Sequence, residues 1–180
     1  MKRTRHGSEL AAEPEPGLPA RFRLEYCAFR QLHHETYTDY ALIRTGNWVR
    51  AVHCVEDVFE QLCDTWQSVL QGAPAAQAWE MLSERVRCHS GCSAGHAWPL
   101  HCLLEDRQAD VVLLRRRLRL SVDETAALMG VPDYTVRSLL RSADRALRAL
   151  PSCVAPLFTD ALFTHDAPGA HGAGTAHWPR

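Results

Sequence analysis

The stretch LSVDETAALMGVPDYTVRSLLRSADRALRAL, residues 120–150, decides how the rest of the chain is read. Ser121 followed by Glu124 is the signature of a capping box that opens a short helix. Ala126, Leu128 and Met129 give that helix an apolar side, and Ala126 is small enough for a second helix to approach. Gly130 ends it, at a turn that needs positive φ and that Gly takes without strain. Pro132 starts the next helix with φ already set. In that helix Val136, Leu139, Leu140, Ala143, Leu147 and Leu150 fall inward, and Tyr134, Arg137, Ser138, Arg141, Arg145 and Arg148 fall outward. The apolar positions 126, 129, 131, 136 and 139 around Gly130 have the spacing of a helix-turn-helix, whose second helix enters the major groove. A plain helical hairpin with an arginine-rich solvated face shares these features, so the remainder of the chain has to separate the two.

Upstream, the periodicity is helical throughout. A helix over about residues 25–45 turns Phe29, Leu32, Tyr40 and Ala41 inward and stops at Gly46. A second, about 48–70, carries the cleanest seam: Val52, Val55, Phe59, Leu62, Trp66 and Val69 recur at steps of three and four. Its other face is acidic, with Glu56, Asp57, Glu60, Gln61 and Asp64. Gly72 and Pro74 break it, and a third helix over about 75–87 shows Trp79, Leu82 and Val86 on one side. Three helices with short connections predict a compact bundle. A fourth, about 103–118, turns Leu104, Val111, Val112 and Leu118 inward and ends in Arg115, Arg116, Arg117 and Arg119, placed either to favour the helix C-terminus or to meet phosphate.

The fold class expected is therefore all-α, with two small helical domains joined by a flexible linker. The expected boundaries are a disordered, proline-bearing leader at 1–21, a bundle at 22–88 and a linker at 89–102. A helix-turn-helix domain at 103–151 and a mostly disordered extension at 152–180 complete the chain. Apolar residues from Val154 to Phe163 could add one more turn to that extension.

Net charge is −1, so no global field draws the chain to nucleic acid or membrane. The distribution says more: residues 105–150 carry nine Arg against seven acids, and residues 21–90 seven Arg against nine acids. The N-terminal basic residues have no apolar run behind them, and no stretch is long and apolar enough to span a bilayer. Seven cysteines at irregular spacing read as reduced thiols of a cytoplasmic protein. Cys88, His89, Cys92, His96, His101 and Cys102 are all zinc-ligand types, but they do not form paired CxxC knuckles. The preferred reading is a Cys- and His-rich linker with no metal, and a thiol or zinc sensor is the alternative. A glycine-rich phosphate loop, GxSxG and HExxH are all missing, which argues against an enzyme and against a cofactor.

The stretch DRQADVVLLRRRLRLSVDETAALMGVPDYTVRSLLRSADRAL, residues 106–147, resembles region 4 of bacterial RNA polymerase sigma factors. HHETYTDYALIRTG at 33–46, VEDVFEQL at 55–62 and AWEML at 78–82 resemble region 2 of the same family, and the compact extracytoplasmic-function group is the nearest form. The resemblance implies a transcription initiation factor that binds core RNA polymerase and promoter DNA, with room for an anti-sigma partner. It implies that Tyr134, Thr135, Arg137, Ser138 and Arg141 lie on the DNA-recognition helix and that Glu56, Asp57, Glu60 and Gln61 match the polymerase-gripping positions. Arg suits either a guanine edge or a phosphate at 137 and 141, and an acidic patch suits a basic partner surface. The chain departs from the family at Arg50, Ala51, Val52 and His53, where acids are usual, and at Leu139, Ser142, Asp144 and Ala146, which are often basic. Hence the alternative reading is a degenerate sigma-like regulator that binds partner proteins without melting a promoter.

Overall fold

The structure, a computed structural model, describes residues 20–89 and 100–150. Among the described residues every regular element is helical: α1 Ala20–Thr45, α2 Trp48–Val69, α3 Pro74–His89, α4 Leu100–Leu103, α5 Asp106–Val112, a π-helical stretch Leu113–Arg117, α6 Val122–Met129 and α7 Asp133–Arg148. The all-α expectation holds, and none of these helices is long and apolar enough to cross a membrane.

The sequence seam of α2 becomes the centre of the first bundle. Val55, Phe59, Leu62, Trp66 and Val69 are buried, joined by Ala51, Cys54 and Val58, whereas Val52 is only half-buried. Trp66 meets Tyr26 edge-on and Phe29 at 5.2 Å between centroids, and the Tyr26 hydroxyl donates to the Phe59 carbonyl at 2.8 Å. From α3, Trp79 packs on Tyr40 at 4.6 Å. Asn47 caps α2 by accepting from the Arg50 amide, so the break after Gly46 also starts the next helix.

Three expectations need correction. Leu32 does not turn inward: it is 73% exposed, because α2 lies along the Phe29–Tyr37 side of α1 and none of the described residues covers Leu32. The linker boundary is too wide, since α3 runs on to His89 and α4 begins at Leu100, whose side chain is buried. The two units are also not separate packing bodies. Val111, Leu113, Leu114, Ala126, Leu128, Met129 and Val136 belong to the same continuous core as Tyr37, Trp66 and Trp79. A smaller core of Leu100, Leu104, Ala109, Val112, Ala143 and Leu147 lies among α4, α5 and α7. The leader, Cys92, His96 and the C-terminal extension lie outside the described residues.

Candidate nucleic-acid interface

The helix-turn-helix forms by the local chemistry read in its sequence. Ser121 accepts from the Glu124 amide while the Glu124 carboxylate accepts from the Ser121 amide at 2.6 Å, closing the capping box. Those bonds from Ser121 hold the Glu124 carboxyl below the usual carboxylate range. At the other end of α6, Gly130 takes φ +61°, and the amides of Val131 and Gly130 bond to the carbonyls of Ala126 and Ala127. Pro132 is extended at ψ 150° and stands one residue before the helix it was expected to begin, so Asp133 is the first residue of α7.

The structure also gives a tertiary reason for this glycine. A Cβ on Gly130 would lie 2.1 Å from the Ala76 nitrogen and 2.6 Å from its Cα, so the turn rests directly on the backbone of the first turn of α3. Gly46 has the same left-handed φ, +63°, but a Cβ there would meet nothing within 4 Å.

α7 is held from behind by Val136, Ala143 and Leu147, all buried, with Leu139, Leu140 and Leu150 half-buried. Tyr134, Arg137, Ser138 and Arg141 are exposed, and Arg137 and Arg141 stand one turn apart. Arg137 Nε reaches the Asp133 carboxylate at 3.5 Å, a loose surface pair. Thr135 parts from this group. It is half-buried and, with Leu139, lines a cleft of about 260 Å³ whose other walls include Tyr40, Trp79, Glu80 and Asp110.

The arginines that end the fourth helical run do not act as one cluster. Arg115 is half-buried and its Nη1 donates to the Leu120 carbonyl, closing the turn after the π-helical stretch. Arg116, Arg117 and Arg119 are exposed, with Arg119 in the left-handed region at φ +57°. The acidic face of α2 is divided between two neighbours. Glu56 takes Arg30 at 2.6 Å and His34 at 2.8 Å from α1, whereas Asp57 takes Arg85 at 2.5 Å from α3. Burial would raise the Glu56 carboxyl, but the bonds from His34 and Arg30 outweigh it and hold the carboxyl below its ordinary value. Gln61 lies 3.4 Å from Arg85, and Glu60 is exposed.

Sequence reasoning missed the polar node that fixes the helix-turn-helix unit to the bundle. Asp110 Oδ1, almost fully buried on α5, accepts from Tyr40 at 2.6 Å and from Arg44 at 3.2 Å, and lies 2.7 Å from His101 Nε2. Burial, and then the Asp110 charge, push the Tyr40 hydroxyl well above its ordinary value, so it stays a proton donor. The one available signal was an acid embedded in the apolar run Ala109, Val111, Val112. Among the described residues, no group of three or more His, Cys, Asp or Glu is arranged to hold a metal.

No curated protein matches the chain. Residues 100–150, the helical unit that carries the capping box, the Gly130 turn and the exposed side of α7, match the family model for sigma-70, region 4.

Proposed function

We propose that the chain is a sigma-like transcription initiation factor of the extracytoplasmic-function type. In this reading α7 enters the major groove of the upstream promoter element. Arg137 and Arg141 lie within reach of base edges or phosphates, with Tyr134 and Ser138 beside them and Thr135 at the margin. Arg116, Arg117 and Arg119 add phosphate contacts, and Arg115 contributes less because it closes a turn. The α2 positions Glu56, Asp57, Glu60 and Gln61 meet core RNA polymerase, with Glu60 the most available of them. Promoter DNA and core polymerase are the partners, an anti-sigma protein is a compatible third, and the chemistry belongs to the polymerase.

One observation carries the reading: the exposed side of α7 holds Tyr134, Arg137, Ser138 and Arg141 together, on a helix-turn-helix that matches sigma region 4. Run-off transcription with the full chain, core polymerase and a promoter library tests it. A transcript that depends on the protein, together with a selected duplex motif, is expected. A second reading rests on the internal pairing of Glu56 and Asp57, which leaves less of the acidic face to a partner. In it the protein binds other proteins without opening DNA, and polymerase binding with no transcript from any duplex would select it.

A further inference from the structure

α2 and α3 form an antiparallel hairpin whose register is fixed by the Asp57–Arg85 pair at 2.5 Å. On α2 the residues on this side are Cys54, Asp57, Val58 and Gln61, a stripe at steps of three and four. On α3, Arg85 is followed one turn later by Cys88. In an antiparallel pair, moving back one turn from Asp57 and forward one turn from Arg85 arrives at the same level, so Cys54 and Cys88 stand opposite each other. Cys54 is 2% exposed, Cys88 is solvent-exposed, and both are free thiols. Burial pushes the Cys54 thiol up, and Asp57 and the neighbouring Cys88 sulfur add to this while Arg85 opposes it. The same sulfurs are therefore neighbours by register and by electrostatics.

We propose that Cys54 and Cys88 are a reversible thiol pair that closes to a disulfide across the α2–α3 seam when the protein meets a peroxide. Cys88, the exposed member, reacts first. Its sulfur attacks hydrogen peroxide, an S–O bond forms as the O–O bond breaks, and water leaves with the thiol proton. Cys54 then attacks the Cys88 sulfenic sulfur, the S–S bond forms as the S–O bond breaks, and a second water takes the remaining proton. Two thiols are oxidised by two electrons and one peroxide is reduced to two waters. The buried thiol is a slow first nucleophile but a well-placed second one, because the fold already holds it beside its target. The disulfide would pin the end of α3, next to residues 90–99, to the start of α2.

The test uses the full chain, reduced, freed of reductant and titrated with hydrogen peroxide. Thiols are then alkylated under denaturing conditions and peptides are mapped by mass spectrometry without reduction. The expected product joins the Cys54 and Cys88 peptides, is two hydrogens lighter than the reduced pair, and reverts with dithiothreitol. Cys92→Ser should leave this product in place, and Cys88→Ser should remove it while Cys54 stays alkylatable. Linkage of Cys88 to Cys92 or Cys102, or a Cys54 still reduced when the other thiols have been oxidised, overturns the proposal. Mapping the unmodified sequence suffices, so the result does not depend on how well a variant at buried Cys54 folds.

Discussion

Tyr37, Tyr40, Phe59, Trp66 and Trp79 fill the centre of the α1–α3 bundle, whereas the core shared by α4, α5 and α7 holds Leu100, Leu104, Ala109, Val112, Ala143 and Leu147. The first is large and aromatic; the second is aliphatic and includes two alanines. A unit of this size is marginal on its own, because small cores leave little surplus over the entropy of ordering the chain. The other side of α5, the π-helical stretch and one side of α6 lie on the bundle through Val111, Leu114, Leu128 and Met129. Between them, Asp110 and Gly130 fix where the smaller unit sits. The bundle is held by area, and the helix-turn-helix unit is held by area plus a buried polar node at Asp110 and a close backbone approach at Gly130.

The sharpest way to break this contrast is Asp110→Ala. It removes the Asp110 carboxylate from the buried Arg44 and the acceptor from Tyr40, and a loss approaching the roughly 3–5 kcal/mol of a buried pair cut on one side is expected. Urea unfolding followed by circular dichroism and by tryptophan fluorescence, to which Trp79 beside Tyr40 contributes, measures it. A loss below about 1 kcal/mol, the size of an exposed pair, would mean that apolar contact alone holds the unit.

Next comes a pair of matched substitutions. Gly46→Ala incurs only left-handed strain, about 1–2 kcal/mol. Gly130→Ala adds overpacking against Ala76, about 1–3 kcal/mol more. Thermal melts of both variants should therefore differ clearly, with Gly130→Ala the lower. Equal melting temperatures would show that α6 can shift away from α3 at little cost.

On the exposed side of α7, Arg137→Ala and Arg141→Ala should leave folding almost unchanged and weaken duplex binding. A base reader should cost about 1–3 kcal/mol and relax preference at one base pair. A phosphate contact should weaken all sequences alike and flatten the salt dependence. Binding is best measured on the full chain, because a fragment of residues 103–150 would strip the bundle from Val111, Leu114, Met129 and Val136. If neither substitution changes affinity or the selected motif, α7 is not a DNA reader.

The smallest effect belongs to the bundle. Burial lowers the His33 pKa from 6.5, and its ring stacks on Tyr37. The unfolded chain then binds the proton more readily, so this contribution is complete above about pH 6.5 and declines as pH falls toward the lowered folded value. His33→Phe should flatten that part of the stability profile. The Glu56 contribution has the same sign in a more acidic window: present above its ordinary carboxylate range and lost as pH falls through the folded value.

What could be read from the sequence follows the range of each interaction. Ser121–Glu124, the left-handed Gly130 and the α2 seam from Val55 to Val69 are set within a few residues, and each stands as its spacing indicated. Tyr134, Arg137, Ser138 and Arg141 are outward because Val136, Ala143 and Leu147 fix the phase of α7. Partners far along the chain left no such mark. Tyr40 and Asp110 are 70 residues apart, Arg85 and Asp57 28 apart, and nothing in a local window links them. That is why the acids of α2 read as one open face when α1 takes Glu56 and α3 takes Asp57. Leu32 was misplaced for the related reason that an apolar residue on a helix does not say whether a neighbour exists to cover it.

The π-helical stretch Leu113–Arg117 works as a frame-shift written into a helix. The Leu118 amide bonds back five residues to Leu113, so the hydrogen-bonded ring encloses one residue more here than in an α-helix. Just at that point neighbouring residues serve different cores: Val112 belongs to the smaller one, and Val111, Leu113 and Leu114 to the larger. The widened turn absorbs that extra residue, so removing one residue between 113 and 117 would restore α spacing and leave everything downstream near its present azimuth. A further residue inserted there, with no second widened turn to absorb it, would rotate everything downstream by roughly 100° relative to α5. α6 and α7 would keep their sequences and caps, yet Gly130 would arrive at a different azimuth from Ala76 and the exposed side of α7 would be aimed elsewhere. An insertion variant with preserved helix content by circular dichroism, a lowered melting temperature and lost duplex selectivity is the expected result, whereas a one-residue deletion should leave melting temperature and selectivity close to those of the parent chain. In this unit the aim of α7 is set by counting residues, well upstream of α7 itself.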